Sequence, residues 1–292
     1  MMPNLAIVVP SQGGTWTTLA QWRVDPVTVA SLLATASLYA LGLIRLHRAG
    51  RTFPRCAALA FYAGLGTLVV ALCSPVDAYS DASFSVHMAQ HLLLTLAAPP
   101  LLALGAPITL ALRASDRATA RRLSALLRGR VASFLSLPVV GWCLFVGVAF
   151  VVHLSPLFDA SLRSNVIHAL EHALWLGAAL IYWWPIVGRD PSPHSMSYPT
   201  RLLSLFLTMP AMSFLALVIF SAAKPLYPTY AALPAPWGPM ALVSQQDAAV
   251  LMWLVGNLAS MVAILILAAA WKRDEDTRQR RLEAREDAAA RG

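Results

Sequence analysis

Two pairs of histidines, each with a spacing of four residues, stand at the beginning of two long apolar segments. His87 and His91 form the first pair, and His168 and His172 form the second. On a helix, residues four apart lie on one face with their Cβ atoms roughly 5–6 Å apart. Because imidazole is a common ligand of copper, zinc, iron and nickel, each pair can direct two nitrogens at one ion. The spacing therefore predicts a metal site shared by two helices.

Two neighbours of these histidines also have side chains that bind metals. Glu171 follows His168 by three residues and lies on the same helical face, where its carboxylate can ligate a metal or orient an imidazole. Met88 has a soft thioether, but a residue next to His87 projects about 100° away around the helix. We therefore expect Glu171 to belong to the site and Met88 to pack in the core.

The composition is that of a protein with many membrane spans. Hydrophobic residues make up 58% of the 292 residues, charged residues only 12%, and the mean hydropathy is +0.63. An average soluble domain has roughly 25% charged residues. The net charge of +8 does not indicate a nucleic-acid partner here, because cytoplasmic loops of membrane proteins collect Lys and Arg. The lipid bilayer is the expected environment.

Seven apolar segments are long enough to cross the hydrocarbon layer, which requires about 20 residues in a helix. They are 27–45, 56–73, 84–104, 133–152, 166–187, 202–221 and 248–270. The predicted fold is an all-α bundle of seven transmembrane helices. It divides into an external N-terminal segment (1–26), the transmembrane domain (27–271) and a charged cytoplasmic tail (272–292).

The basic residues predict the orientation. Of the 22 Lys and Arg residues, all but Arg23, Arg163 and Lys224 fall on one side of the seven spans. The positive-inside rule then places the N-terminus outside and the C-terminus in the cytoplasm. With this topology, one external level contains both histidine pairs, His153, Glu171 and three further acidic candidates, whereas His47 and His194 fall on the cytoplasmic side. The three acidic candidates, each a ligand or a residue that orients one, are Asp81, Asp159 and Asp247.

Other uses of these residues stay open at this stage. His-x-x-Glu-His at 168–172 also matches a zinc-hydrolase pattern, although a catalytic zinc site needs a third protein ligand and an open position for water. Haem ligation between two spans is another possibility, and a single histidine such as His153 often lies at the membrane surface without a ligand role. The three cysteines, Cys56, Cys73 and Cys143, are isolated, so we expect neither a disulfide framework nor a thiolate metal site.

Several separated motifs, in order along most of the chain, resemble the caa3-type cytochrome c oxidase assembly factors of the CtaG family. The motifs are Ser74-Pro75, His87-Met88-x-Gln90-His91-Leu92-Leu93, Ala98-Pro99-Pro100-Leu101-Leu102, Gly105-Ala106-Pro107, His153-x-x-Pro156-Leu157-x-Asp159, His168-x-x-Glu171-His172, Trp183-Trp184-Pro185, Leu226-Tyr227-Pro228-x-Tyr230, Gln245-Gln246 and Met252-Trp253. In the family an acidic residue often precedes the Gln-Gln pair. Here that position is Ser244, and Asp247 follows instead.

The resemblance implies a non-enzymatic protein of the bacterial plasma membrane. It implies delivery of copper, as Cu(I) or Cu(II), to the catalytic subunit of a haem-copper oxidase, with an extracytoplasmic protein as a possible copper donor. The candidate copper ligands are then His87, His91, His153, His168 and His172, facing the extracytoplasmic side. An integral-membrane metal-dependent hydrolase or redox protein, and a metal-free scaffold for oxidase subunits, remain the alternatives.

Overall fold

The computed structural model describes residues 21–234 and 240–290, and every regular element in these ranges is a helix. The first part forms α1 (Pro26–Arg48), α2 (Arg55–Cys73), α3 (Pro75–Ser80), α4 (Phe84–Leu92), a π-helical segment (Leu93–Ala97), α5 (Ala98–Leu104), α6 (Pro107–Ala114), α7 (Arg117–Leu127) and α8 (Arg130–Leu135). The second part forms α9 (Pro138–Leu154), α10 (Leu157–Ser161), α11 (Asn165–Val187), α12 (Tyr198–Ser221), α13 (Pro228–Ala231) and α14 (Ala241–Ala290).

By length and composition, six helical stretches of the described chain can cross a membrane. They are α1, α2, the run Phe84–Ala114, α11, α12 and the apolar part of α14. The predicted span 133–152 differs, because α9 begins only at Pro138 and has 17 residues, or about 26 Å of helix. Proline suits the first helical position, since the missing N–H has no partner there. The all-helical, multi-pass architecture is confirmed, whereas the count of seven spans stays a prediction.

The helix that bears the first histidine pair changes its geometry two residues after His91. The π-helical segment Leu93–Ala97 joins α4 to α5, whose first turn contains Pro99 and Pro100. Proline lacks the N–H that would otherwise bond to a carbonyl one turn earlier. The carbonyl of Thr95 instead accepts a hydrogen bond from the indole Nε1 of Trp183 at 2.9 Å. This bond ties the helix of the first pair to α11, which bears the second.

The helices α2 and α5 pack closely because α2 has a glycine, Gly64, where it contacts α5. A Cβ atom on Gly64 would come within 2.9 Å of Cγ of Leu102 and 3.0 Å of its backbone nitrogen. Close approach over small residues is a common source of helix association in membranes. The hydroxyl of Tyr39 donates to the carbonyl of Gly105 at 2.8 Å, which adds α1 to this group of helices.

The last helix is longer than the predicted span 248–270. It begins at Ala241, where the hydroxyl of Ser244 accepts from the backbone N–H of Ser85 at 3.1 Å. Beyond the apolar part it continues through the charged tail, whose side chains are exposed from 271 to 287. The hydroxyl of Tyr198 donates to Asp274 at 2.5 Å. The tail is therefore the helical continuation of the last apolar stretch as far as Ala290.

Candidate metal centre

The two histidine pairs meet between α4 and α11. The ring centroids of His87 and His168 are 5.2 Å apart, and those of His91 and His172 are 5.8 Å apart. His87 and His91 are buried, at 0% and 2% exposure, whereas His168 and His172 are half-buried. Two helices that are far apart in sequence therefore bring four imidazoles together at one end of the bundle.

Two sets of three side chains have the spacing of metal ligands. His87, His168 and His172 each offer a ligand atom, and these atoms lie within 4.8 Å of one another; the same is true of His87, His91 and Glu171. Metal–nitrogen bonds of about 2.0–2.1 Å require ligand atoms about 3–4 Å apart, so either set needs only a small contraction to bind an ion. His87 belongs to both sets.

A hydrogen-bond chain fixes which nitrogen of His87 is free to ligate. The hydroxyl of Tyr230 lies 2.7 Å from the carbonyl of Ser80 and 3.0 Å from Nδ1 of His87. The carbonyl is only an acceptor, so the single hydroxyl proton goes to Ser80 and Nδ1 of His87 must donate. Nε2 of His87 then carries the lone pair and lies 3.0 Å from Nε2 of His91. An outer hydrogen bond of this kind is common for histidines that ligate metals.

Glu171 supplies a buried carboxylate beside these imidazoles. It is 2% exposed, and its Oε1 lies 3.4 Å from Nε2 of His91 and 3.3 Å from the donating indole Nε1 of Trp175. Its Oε2 is buried without a hydrogen-bond partner. Burying a carboxylate is expensive unless it is paired or bound to a metal. A cation between Glu171 and the histidines would offset that cost.

Several other polar atoms of the cluster also have no hydrogen-bond partner. In the described chain they are Nδ1 of His91 and Nε2 of His153, His168 and His172. Buried polar groups are normally satisfied, and each exception suggests a missing partner such as an ion. The chemistry of the donor set, neutral imidazoles and one carboxylate, therefore fits a transition metal.

His153 lies next to the cluster but outside both ligand sets. Its Nδ1 donates to the carbonyl of Ala149 at 2.9 Å, and its ring stacks on Phe158. Its ring centroid is 6.1 Å from that of His91. The structure therefore places it as a neighbour of the site. The other two histidines, His47 and His194, belong to neither ligand set in the described chain.

The three acidic candidates are not members of the ligand sets either. Asp81 forms an ion pair with Arg23 at 2.5 Å, and Asp159 forms one with Arg163 at 2.9 Å. Asp247 is exposed on α14. The first two carboxylates thus have protein partners of their own.

Sequence reasoning did not assign roles to Tyr230 or Trp175. Tyr230 lies on α13, whose first turn is held by Asp159, the acceptor of a hydrogen bond from the N–H of Thr229 at 3.0 Å. Trp175 follows Glu171 by four residues, a spacing that indicates a shared helical face. The motif that contains Tyr230 was visible in the sequence. No local sequence pattern, however, indicates that the hydroxyl of Tyr230 contacts His87.

Gln90, between the two histidines of the first pair, holds the helix in place. Its amide donates at 2.8 Å both to the carbonyl of Ala71 and to Asp77. Asp77 lies on α3, outside the spans, and burial raises its pKa from 3.8 to about 6 despite the opposing effects of Gln90 and Arg23. Gln90 thereby fixes the rotation of α4 that aims His91 at Glu171.

These features define an all-helical, multi-pass membrane protein with a buried cluster of histidines and one glutamate. The family model described as cytochrome c oxidase caa3 assembly factor (Caa3_CtaG) matches residues 37–274. The chain belongs to this family, which confirms the resemblance seen in the sequence. The match covers both histidine pairs, Glu171, Tyr230 and Trp175.

Three curated mycobacterial proteins, all named as uncharacterized, are similar to the chain. Those of Mycobacterium bovis (strain ATCC BAA-935 / AF2122/97) and Mycobacterium tuberculosis (strain CDC 1551 / Oshkosh) are each 34% identical over 277 residues, and that of Mycobacterium leprae (strain TN) is 33% identical over 274. The aligned regions cover 92%, 92% and 91% of this chain but 41% of each relative. The chain thus spans about two fifths of the length of these relatives. No solved structure matches it.

Proposed function

We propose that this protein binds copper at the histidine–glutamate cluster and delivers it to the catalytic subunit of a haem-copper cytochrome c oxidase during assembly. The observation that carries the proposal is the pair of ligand sets sharing His87, found in a chain that belongs to an oxidase assembly family. Copper is the cargo, taken from an extracytoplasmic donor. No residue is assigned a catalytic role.

The chemistry of the cluster suits cargo rather than a permanently held ion. Cysteine thiolates, which form very tight closed metal cages, are absent from both ligand sets in the described chain. Imidazoles and carboxylate bind Cu(II) and other divalent ions, and imidazole also accepts Cu(I). Two overlapping sets with His87 in common would let an ion move from the buried set to the half-buried set by exchanging one ligand at a time.

The proposal includes an orientation in the bacterial plasma membrane. With seven spans, including the short α9, and with nearly all basic residues in the cytoplasm, the N-terminus lies outside. The cluster then faces the extracytoplasmic side, where it would meet its donor and the oxidase subunit. The charge asymmetry of the sequence supports this orientation.

The metal content of protein purified in detergent without chelator tests the copper site. We expect copper in the wild type and its loss in His87→Ala/His91→Ala, because this change removes two of the three ligands from the set that contains Glu171 and one from the other set. The matched control is His47→Ala/His194→Ala, which alters two histidines outside both sets and should retain the metal. Equal copper content in the two double variants, with both folded, would refute the site.

A cellular arm separates delivery from binding. In a strain carrying His87→Ala/His91→Ala, the oxidase should accumulate without its copper, and added copper should restore part of its activity. A normal copper content of the oxidase in that strain would refute delivery. If the purified protein binds no metal and the oxidase still fails to assemble in the variant strain, the scaffold alternative is favoured. Hydrolytic turnover that follows the metal content of the purified protein would favour the hydrolase.

A further inference from the structure

A small cavity adjoins the histidine cluster within the bundle, and its walls are unusually rich in methionine. It measures about 50 Å³, and four of the chain's nine methionines line it together with His91 and His153. The four are Met88 on α4, Met209 and Met212 on α12, and Met252 on α14. Three helices therefore bring thioethers to one small cavity.

The two histidines of this wall each have a ring nitrogen without a partner. Nε2 of His153 and Nδ1 of His91 are buried and make no hydrogen bond, and the two residues are 3% and 2% exposed. The second nitrogen of His153 is already engaged, since it donates to the carbonyl of Ala149. Nε2 of His153 therefore carries the lone pair of its ring and is free to bind a metal ion in this space.

The size and lining of the cavity limit what that group can be. Pockets for organic ligands usually measure about 300–1,000 Å³, so a quinone, a haem or a drug-sized molecule does not fit. Among the described residues, no Asp, Glu, Lys or Arg lines the cavity, whereas protein sites for magnesium, calcium and manganese usually include carboxylates among their oxygen ligands. Thioether and imidazole are ligands that a soft monovalent ion such as Cu(I) prefers.

We propose that Met209, Met212 and Met252, together with His153, form a second metal site that binds Cu(I) next to the histidine–glutamate cluster. Met209 and Met212 are three residues apart and lie on the same face of α12, so both thioethers can serve one ion. His91 lines the cavity and also belongs to a ligand set of the first site. The inference rests on the proposed copper role and adds a holding site, selective for the reduced ion, from which cargo reaches the cluster.

Silver ion is the probe, because Ag(I) mimics Cu(I) and does not change its oxidation state. The experiment uses the full chain in detergent with all three cysteines changed to serine, so that thiolates do not contribute. The test variant is Met209→Leu/Met212→Leu/Met252→Leu, because leucine keeps nearly the volume and the apolar character of methionine. Bound silver per protein and X-ray absorption at the silver edge are the measurements.

The matched control changes three methionines outside the cavity. Met196→Leu/Met240→Leu/Met261→Leu removes the same number of thioethers and includes one buried residue, Met196. The starting protein and this control should show sulfur neighbours of silver. The test variant should lose that signal and about one bound silver ion, because soft thioethers select such ions. Circular dichroism and size-exclusion chromatography verify that every variant is folded.

Sulfur scattering and silver stoichiometry that are unchanged in the folded test variant would overturn the second site and leave the methionines as packing. Equal losses in the test variant and the control would overturn it as well. The failure of the first proposal looks different. In that case the protein lacks copper at the histidine cluster but still shows silver–sulfur binding that depends on the cavity methionines. This result would retain the second site and refute copper delivery.

Discussion

Replacing Asp77 with Asn should stabilise the protein at neutral pH. The half-buried carboxylate has its pKa raised from 3.8 to about 6, and desolvation is the largest cause. This difference corresponds to about 3 kcal/mol, as an upper bound, because the side chain is partly exposed and retains some hydration. Asn keeps an oxygen in the place where Oδ1 accepts from Gln90 at 2.8 Å, so the hydrogen bond is retained while the buried charge is removed.

The sign of the pH dependence follows from which state binds the proton more tightly. Since the pKa of Asp77 is higher in the folded protein, the folded state binds more protons than the unfolded state between pH 3.8 and about 6. Folding stability therefore falls as the pH rises through this window. The penalty is absent below pH 3.8 and complete above pH 6, where the wild type and Asp77→Asn should differ most.

Reversible unfolding in mixed micelles, followed by helical circular dichroism from pH 4 to 8, measures this effect. The difference in unfolding free energy between Asp77→Asn and the wild type should grow with pH and level off above pH 6. Asp276→Asn, in the exposed tail, is the matched control and should track the wild type. A difference that does not change with pH, or an Asn variant less stable than the wild type at pH 7, would refute the reasoning.

Further predictions concern packing, topology and the cysteines. Gly64→Ala should lower the free energy of unfolding by about 1–3 kcal/mol, the usual range for overpacking, because the new methyl group meets Leu102. The control is Gly66→Ala, which has open space around it and should be neutral or slightly stabilising. An unfolding titration measures both variants. Tags with a protease cleavage site, placed after Gly292 and within α7, should be protected from protease added outside intact cells. Cleavage from outside would contradict the proposed orientation. Serine at all three cysteines should leave the copper content of purified protein unchanged, since none of them belongs to a described ligand set; loss of copper would reveal a thiolate ligand.

The sequence by itself determined the features that depend on local spacing. Apolar runs of sufficient length predicted the membrane helices, because the bilayer leaves no water to satisfy an open backbone. The four-residue spacing predicted that each histidine pair lies on one helical face. The sequence motifs were also specific enough to predict the family.

Only the tertiary structure decided which faces meet. The rotation of α4 against α11 decides that His87 belongs to both ligand sets, and a hydrogen bond across 143 residues of sequence assigns its tautomer through Tyr230. The ion pair of Asp81 with Arg23, and the cavity that receives methionines from three helices, likewise depend on contacts between distant segments. Helical periodicity fixes the face of each side chain on its own helix, but the packing of the whole bundle fixes the partner of that face.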